Sequence, residues 1–125
     1  MNSKKVLVVD DSNVMRQIIK NNLKQLGFKP DNLVDAEDGS VGLRKAGENK
    51  PDLIVSDWNM PKMTGIEFLK AVRADAGLKA IPFLMVTSET EKEKIMEAVQ
   101  AGVSQYIVKP FNANQLEEKI KQIFK

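Results

Sequence analysis

The chain has no cysteine and no histidine. The first absence excludes disulfides and thiolate reactions. The second excludes imidazole acid–base chemistry, histidine-ligated metals and a phosphohistidine formed on this chain. Any metal must be held by oxygen, which points to Mg2+, Mn2+ or Ca2+. Long apolar runs are missing too, since none approaches the roughly 20 residues that cross a bilayer. Residues 1–5 lead into a strand-like run without the apolar stretch of a signal peptide. Nor does charge of one sign dominate. Lys and Arg number 19 against 17 Asp and Glu, interleaved along the chain. No clustered basic face, of the kind nucleic acid requires, is visible. The expectation is a cytoplasmic protein that engages neither nucleic acid nor membrane, and that is monomeric.

What is present is an alternation. Short apolar runs at residues 6–9, 33–36, 53–56, 83–87 and 105–108 read as strands. Between them lie segments of helical period. The first puts Met15, Ile18, Ile19, Leu23 and Leu26 on one face, with Gly27 as its stop. The second, about 39–46, contains Gly42, which weakens a helix interior. Thr64-Gly65-Ile66-Glu67 reads as a capping box, with Leu69 and Val72 inward. Thr90-Glu91-Lys92-Glu93 reads as another, opening a helix that ends at Gly102. That helix has a thin apolar stripe of Ile95, Ala98 and Val99. Asn112 caps the last helix, whose inner face is Leu116, Ile120, Ile123 and Phe124. Five βα units in 125 residues predict one α/β domain, residues 1–125, with no effector domain.

Chemistry-bearing residues follow the strands. Asp10 and Asp11 follow the first, Asp57 the third, Thr87 and Ser88 end the fourth, and Lys109 follows the fifth. In an open parallel sheet all these ends share one edge, where ligands bind. Three carboxylates there repel one another: at about 4 Å and an effective dielectric near 20, each like pair costs roughly 4 kcal/mol. A hard divalent cation removes that conflict. Mg2+ takes one or two carboxylates, keeps waters and leaves positions for phosphate oxygens. A carboxylate such as Asp57 can also attack a phosphoryl group and hold it as an acyl phosphate. Taken singly, each residue has a plainer role. Asp10 and Asp11 can cap a helix, Asp57 can start a loop, and Thr87 can close a strand. Lys109 can be a surface lysine, although Pro110 biases it to extended backbone. Tyr106 alone reads as a half-buried strand aromatic.

Four motifs stand in order: Val8-Val9-Asp10-Asp11-Ser12, Ser56-Asp57-Trp58-Asn59-Met60-Pro61-x-Met63-x-Gly65, Met85-Val86-Thr87-Ser88 and Val108-Lys109-Pro110-Phe111. From end to end the chain resembles the receiver domains of two-component response regulators, and among them the stand-alone chemotaxis receivers. The resemblance implies a doubly wound, flavodoxin-like five-stranded parallel sheet of order 2-1-3-4-5. It implies Asp57 as phosphoacceptor and Mg2+ held by Asp11, Asp57 and the Asn59 carbonyl, with Asp10 acting through water. Thr87 and Lys109 would contact the phosphoryl group, and Thr87 with Tyr106 would form the switch. Asn59, Ser88 and Glu89 would tune hydrolysis. A CheA-like histidine kinase would be the phosphodonor. The target, most simply a flagellar motor switch protein, would bind the face made by the fourth helix, fifth strand and fifth helix. A phosphatase would be a further partner. The chain would not be an enzyme in the ordinary sense, although it assists its own phosphorylation and dephosphorylation. Ser12 replaces a frequent aromatic and Ser88 a frequent alanine, which leaves partner and phosphate lifetime open. A non-chemotaxis phosphorelay stays open as an alternative. So does a Mg2+-dependent phosphatase using an aspartyl nucleophile, although such enzymes usually carry an acid where Asn59 stands. A flavodoxin would need a glycine- and hydroxyl-rich loop in place of Asp10-Asp11-Ser12-Asn13.

Overall fold

Val6–Val9 offers water no polar side chain, and it forms β1 with all four residues buried. The computed structural model describes residues 3–88 and 92–124. The other strands are β2 (Leu33–Ala36), β3 (Leu53–Asp57), β4 (Phe83–Thr87) and β5 (Gln105–Val108). All pairings are parallel, in the order β2-β1-β3-β4-β5. The helices are α1 (Asn13–Gln25), α2 (Gly39–Asn49), α3 (Gly65–Ala74), α4 (Lys92–Gln100) and α5 (Ala113–Ile123). This is the doubly wound, flavodoxin-like architecture the sequence predicts.

Strand alternation divides the core into two layers. Val6, Val8, Val55, Leu84 and Val86 face Ile19 and Leu23 of α1 and Leu116 and Ile120 of α5. Leu7, Val9, Ile54, Phe83 and Met85 face Phe68, Leu69 and Val72 of α3, Ala46 of α2 and Ala98 of α4. Both faces of the sheet are therefore covered, which explains why β1, β3 and β4 are buried throughout. Local chemistry sets the helix ends. The Ser12 and Asp38 side chains accept the Met15 and Val41 N–H groups. Thr64 with Glu67, and Asn112 with Gln115, form reciprocal capping boxes. Gly27 adopts φ 100°, and the Phe28 N–H returns to the Leu23 carbonyl, closing α1.

Several expectations change. α2 continues to Asn49 rather than stopping near Ala46. Gly42 serves it as a contact point: a Cβ there would lie 3.0 Å from Val9 Cγ2 and 3.1 Å from Phe68 Cζ. The missing side chain is what lets α2 approach β1 and α3. Ile18, assigned inward, is 45% exposed beside Val14, because the buried row of α1 runs through Ile19 and Leu23. Val99 likewise faces out, leaving Ala98 as the buried contact of α4. Asp57 is the last residue of β3 rather than the first of a loop. The expected box at Thr90 and Glu91, and the tuning position Glu89, lie outside the described residues.

Gly65 opens α3 against the end of β3. Its N–H donates to the Trp58 carbonyl at 2.8 Å. A Cβ there would collide with the Asp57 carbonyl oxygen and approach Trp58 Cα to 2.8 Å. Backbone cannot yield as a flexible side chain can, so Gly65→Ala is expected to lower stability by about 1–3 kcal/mol. Gly47→Ala, with nothing within 4 Å of the new methyl, is expected to be neutral or to gain up to about 1 kcal/mol. Urea unfolding of the two variants checks the contrast.

Candidate functional site

Register delivers the site. Val9 pairs with Ser56, so Asp10 and Asp57 emerge side by side. Asp57 pairs with Val86, which places Thr87 next along the edge. Thr87 pairs with Val108, and the Lys109 N–H donates to the Thr87 carbonyl at 2.8 Å. Residues spread over a hundred positions thus meet at the carboxyl ends of four adjacent strands.

Asp10 and Asp57 are buried, at 1% and 5% exposure, while Asp11 is exposed at the rim. One carboxylate oxygen from each of the three lies within 4.8 Å of the others. The Lys109 ammonium is 3.0 Å from Asp57 Oδ1 and 3.8 Å from Asp10 Oδ2. Asp10 Oδ1 accepts the Ser12 N–H at 2.9 Å. Asp10 Oδ2 is buried and finds no hydrogen-bond partner among the described residues. Burial, then the nearby Asp57 and Asp11 charges, push the Asp10 carboxyl up to about 6 against the pull of the Ser12 N–H and Lys109. Asp57 is also raised, chiefly by burial, although Lys109 draws it back. Two crowded carboxylates, one with an orphaned oxygen, and an all-oxygen donor set are what a hard divalent cation requires. The residues fit Mg2+.

The remaining predicted residues surround this centre. Thr87 is buried. Trp58, directly after Asp57, is buried with the Lys94 ammonium 5.7 Å from its ring centroid. Asn59 and Ser88 are exposed on the flanking loops. Tyr106 sits half-buried on β5, with the Lys119 ammonium 5.4 Å from its ring. The Lys109–Pro110 peptide, left open by the sequence, is cis. A buried carboxylate in a cluster that could hold a cation, with an ammonium and a hydroxyl on the same edge, is a set of groups suited to phosphoryl transfer, which depends on positioning and charge neutralisation.

Two residues escaped the sequence reading. Arg16 of α1 donates to the Asp10 carbonyl at 2.6 Å and to Asp35 Oδ2 of β2 at 3.0 Å. The available signal was Asp35 itself, an acid inside an otherwise apolar strand, with an arginine one turn into the helix beside it.

The sequence description of the response regulator receiver domain matches residues 6–121. The chain belongs to the response regulator receiver family. This receiver is 53% identical over 120 residues to the chemotaxis protein CheY of Pseudomonas aeruginosa, covering 96% of this chain and 95% of that one. It is 51% identical to CheY-3 of Vibrio cholerae, covering 96% and 91%. The crystallised Vibrio cholerae chemotaxis protein CheY4 superposes with a TM-score of 0.88 at 42% identity, covering 96% of this receiver and 98% of CheY4. This receiver is therefore of the CheY type: a phosphorylation-dependent signalling regulator rather than a classical enzyme. No helix among its described residues is long and apolar enough to cross a membrane.

Proposed function

We propose that Asp57 accepts a phosphoryl group from a phosphohistidine of a CheA-like kinase, and that the modified receiver binds a chemotaxis target through α4, β5 and α5. The observation that carries this reading is the Lys109 ammonium 3.0 Å from buried Asp57 inside the three-carboxylate cluster. In the transfer, an Asp57 carboxylate oxygen bonds to phosphorus as the donor's P–N bond breaks. The electron pair returns to the imidazole nitrogen, which takes a proton from water.

Asp11, Asp57 and the Asn59 carbonyl would hold Mg2+, with Asp10 acting through water. When bound, the ion neutralises charge shared between carboxylates and phosphoryl oxygens. Lys109 turns its ammonium from Asp57 to a phosphoryl oxygen, and the Thr87 hydroxyl donates to another. Those bonds reward the conformer that brings Thr87 closer, and Tyr106 moves into the space released. Reversing a 1:99 population takes about 5.5 kcal/mol of differential interaction, which several charge-assisted hydrogen bonds supply. Exposed Ser88 and Asn59, on the loops beside Asp57, tune hydrolysis of the acyl phosphate, a role the family resemblance also gives to Glu89. The relatives named for chemotaxis support a chemotaxis target; the target proposed is a flagellar motor switch protein, with a phosphatase that ends the signal as a further proposed partner.

The test is to incubate the receiver with Mg2+ and acetyl phosphate, reduce with borohydride and locate the modified residue by mass spectrometry. One reduced side chain at position 57 is expected. Continuous hydrolysis of phosphomonoesters with no residue modified would replace the switch with an enzyme.

A further inference from the structure

The peptide unit between Asp10 and Asp11 carries two of the three carboxylates, and because it is planar its orientation fixes how both are aimed. It is gripped from outside the cluster. The Asp10 N–H donates to the Ala36 carbonyl of β2 at 3.1 Å, which secures the preceding peptide. The Asp10 carbonyl, part of the Asp10–Asp11 unit, accepts Nη1 of Arg16 at 2.6 Å. The Arg16 side chain is only 14% exposed, and its other nitrogens are committed. Nε donates to Asp35 Oδ2 at 3.0 Å, and Nη2 to Asn13 Oδ1 at 3.3 Å. Asp35 is itself anchored. The Lys20 ammonium lies 3.7 Å from its Oδ1, and Lys45 donates to its carbonyl oxygen at 2.6 Å. A chain of contacts therefore runs from the β2 edge through a guanidinium to the backbone of the acidic pair.

We propose that Arg16, held by Asp35, is a positioning residue for the cation site: it fixes the peptide that aims the Asp10 and Asp11 carboxylates. The inference rests on the reading of this cluster as a Mg2+ site. Partners outside a metal's ligand shell commonly change affinity about 10–100-fold when removed. Here positioning and charge act in opposite directions, which makes the inference sharp. As a bare positive charge beside a divalent cation, Arg16 would oppose binding, and its loss would tighten it. As a positioner, its loss weakens binding.

The experiment titrates Mg2+ into the full chain by calorimetry and Trp58 fluorescence. The proteins are wild type, Arg16→Gln, Arg16→Lys, Asp35→Asn and the double variant Arg16→Gln/Asp35→Asn. Melting in EDTA checks that each folds. Arg16→Gln is expected to weaken Mg2+ about 10-fold or more. Arg16→Lys is expected to weaken it despite unchanged charge, because a point ammonium cannot bridge carbonyl and carboxylate as the fork does. Asp35→Asn should also weaken it, and the double variant should be no worse than Arg16→Gln alone, as for residues acting through one contact. In the metal-free protein, the Asp11 amide should exchange faster in Arg16→Gln than in wild type. Mg2+ affinity unchanged or tighter in both Arg16 variants would overturn the inference, even if their melting temperatures fall. Should Arg16→Gln not fold, Arg16→Lys and Asp35→Asn decide the matter by the same readouts. If wild type itself takes up no Mg2+, the metal reading fails separately, and unaltered Asp11 exchange would then remove the positioning role as well.

Discussion

Asp57→Asn will take up no phosphate from acetyl phosphate, and its Trp58 emission will not respond to the donor. An amide offers phosphorus no anionic oxygen, so the covalent step loses its nucleophile rather than a stabilising contact. Removing a single donor that only stabilises charge costs about 10²–10³ in rate, and loss of the attacking atom is expected to exceed that. The neighbouring carboxylates are poor substitutes. Asp11 is exposed at the rim, and Asp10 lies 3.8 Å from the Lys109 ammonium where Asp57 lies 3.0 Å from it. The fold should persist, because the substitution keeps the shape of a buried side chain and removes one of the clustered charges. Trp58 adjoins the acceptor and is 6% exposed, so it reports the step without a label. A donor response that survives in Asp57→Asn would remove Asp57 from the acceptor role.

Asp10→Asn will have two effects of opposite sign, separated by metal. Without metal, Asp10 binds its proton more tightly in the folded protein, near pH 6, than in the unfolded chain, near 3.8. Its contribution to stability is therefore fully present below pH 4 and is lost as pH rises through 6. Raised Asp57 acts in the same direction. A two-unit shift is worth at most about 3 kcal/mol, and water at the cleft rim reduces this to roughly 1–2 kcal/mol. In EDTA at pH 8 the variant should thus melt above wild type by about 3–8 °C, with the difference vanishing toward pH 4. Asp38 runs the other way. The Val41 N–H, and next the Ser40 hydroxyl, hold its carboxyl below the usual range, so its contribution is lost only in stronger acid. Adding Mg2+ should raise the melting temperature of wild type more than that of Asp10→Asn, which keeps the proposed direct ligands but binds the ion more weakly. Equal melting of the two proteins in EDTA across this range would mean that the cluster carries no charge conflict.

Most of the fold was legible because its signals are local. Short apolar runs, the Thr64–Glu67 capping box, the Asn112 cap and Gly27 fix element ends by contacts within a few residues, and the ends they mark were read within three positions. The exceptions share a cause. Gly42 looked only like a weak point in its helix because its partners, Val9 and Phe68, are remote in sequence. Ile18 and Val99 looked inward because a helical period gives the width of a face but not its rotation against the sheet. The acidic centre was readable from strand ends alone, since parallel register carries Asp10, Asp57, Thr87 and Lys109 to one edge. Arg16 and Asp35 were not, because their roles depend on a backbone carbonyl that no side-chain motif announces.

The register that assembles this centre also dates it. Asp10 meets Asp57 only after β1 has paired with β3, and Lys109 arrives only once β4 and β5 have closed the far side. These are among the non-local contacts, which form slowly because loop closure precedes their reward. A half-assembled chain therefore lacks the centre proposed to accept a phosphoryl group. On that reading the receiver carries no signal until its folding is finished.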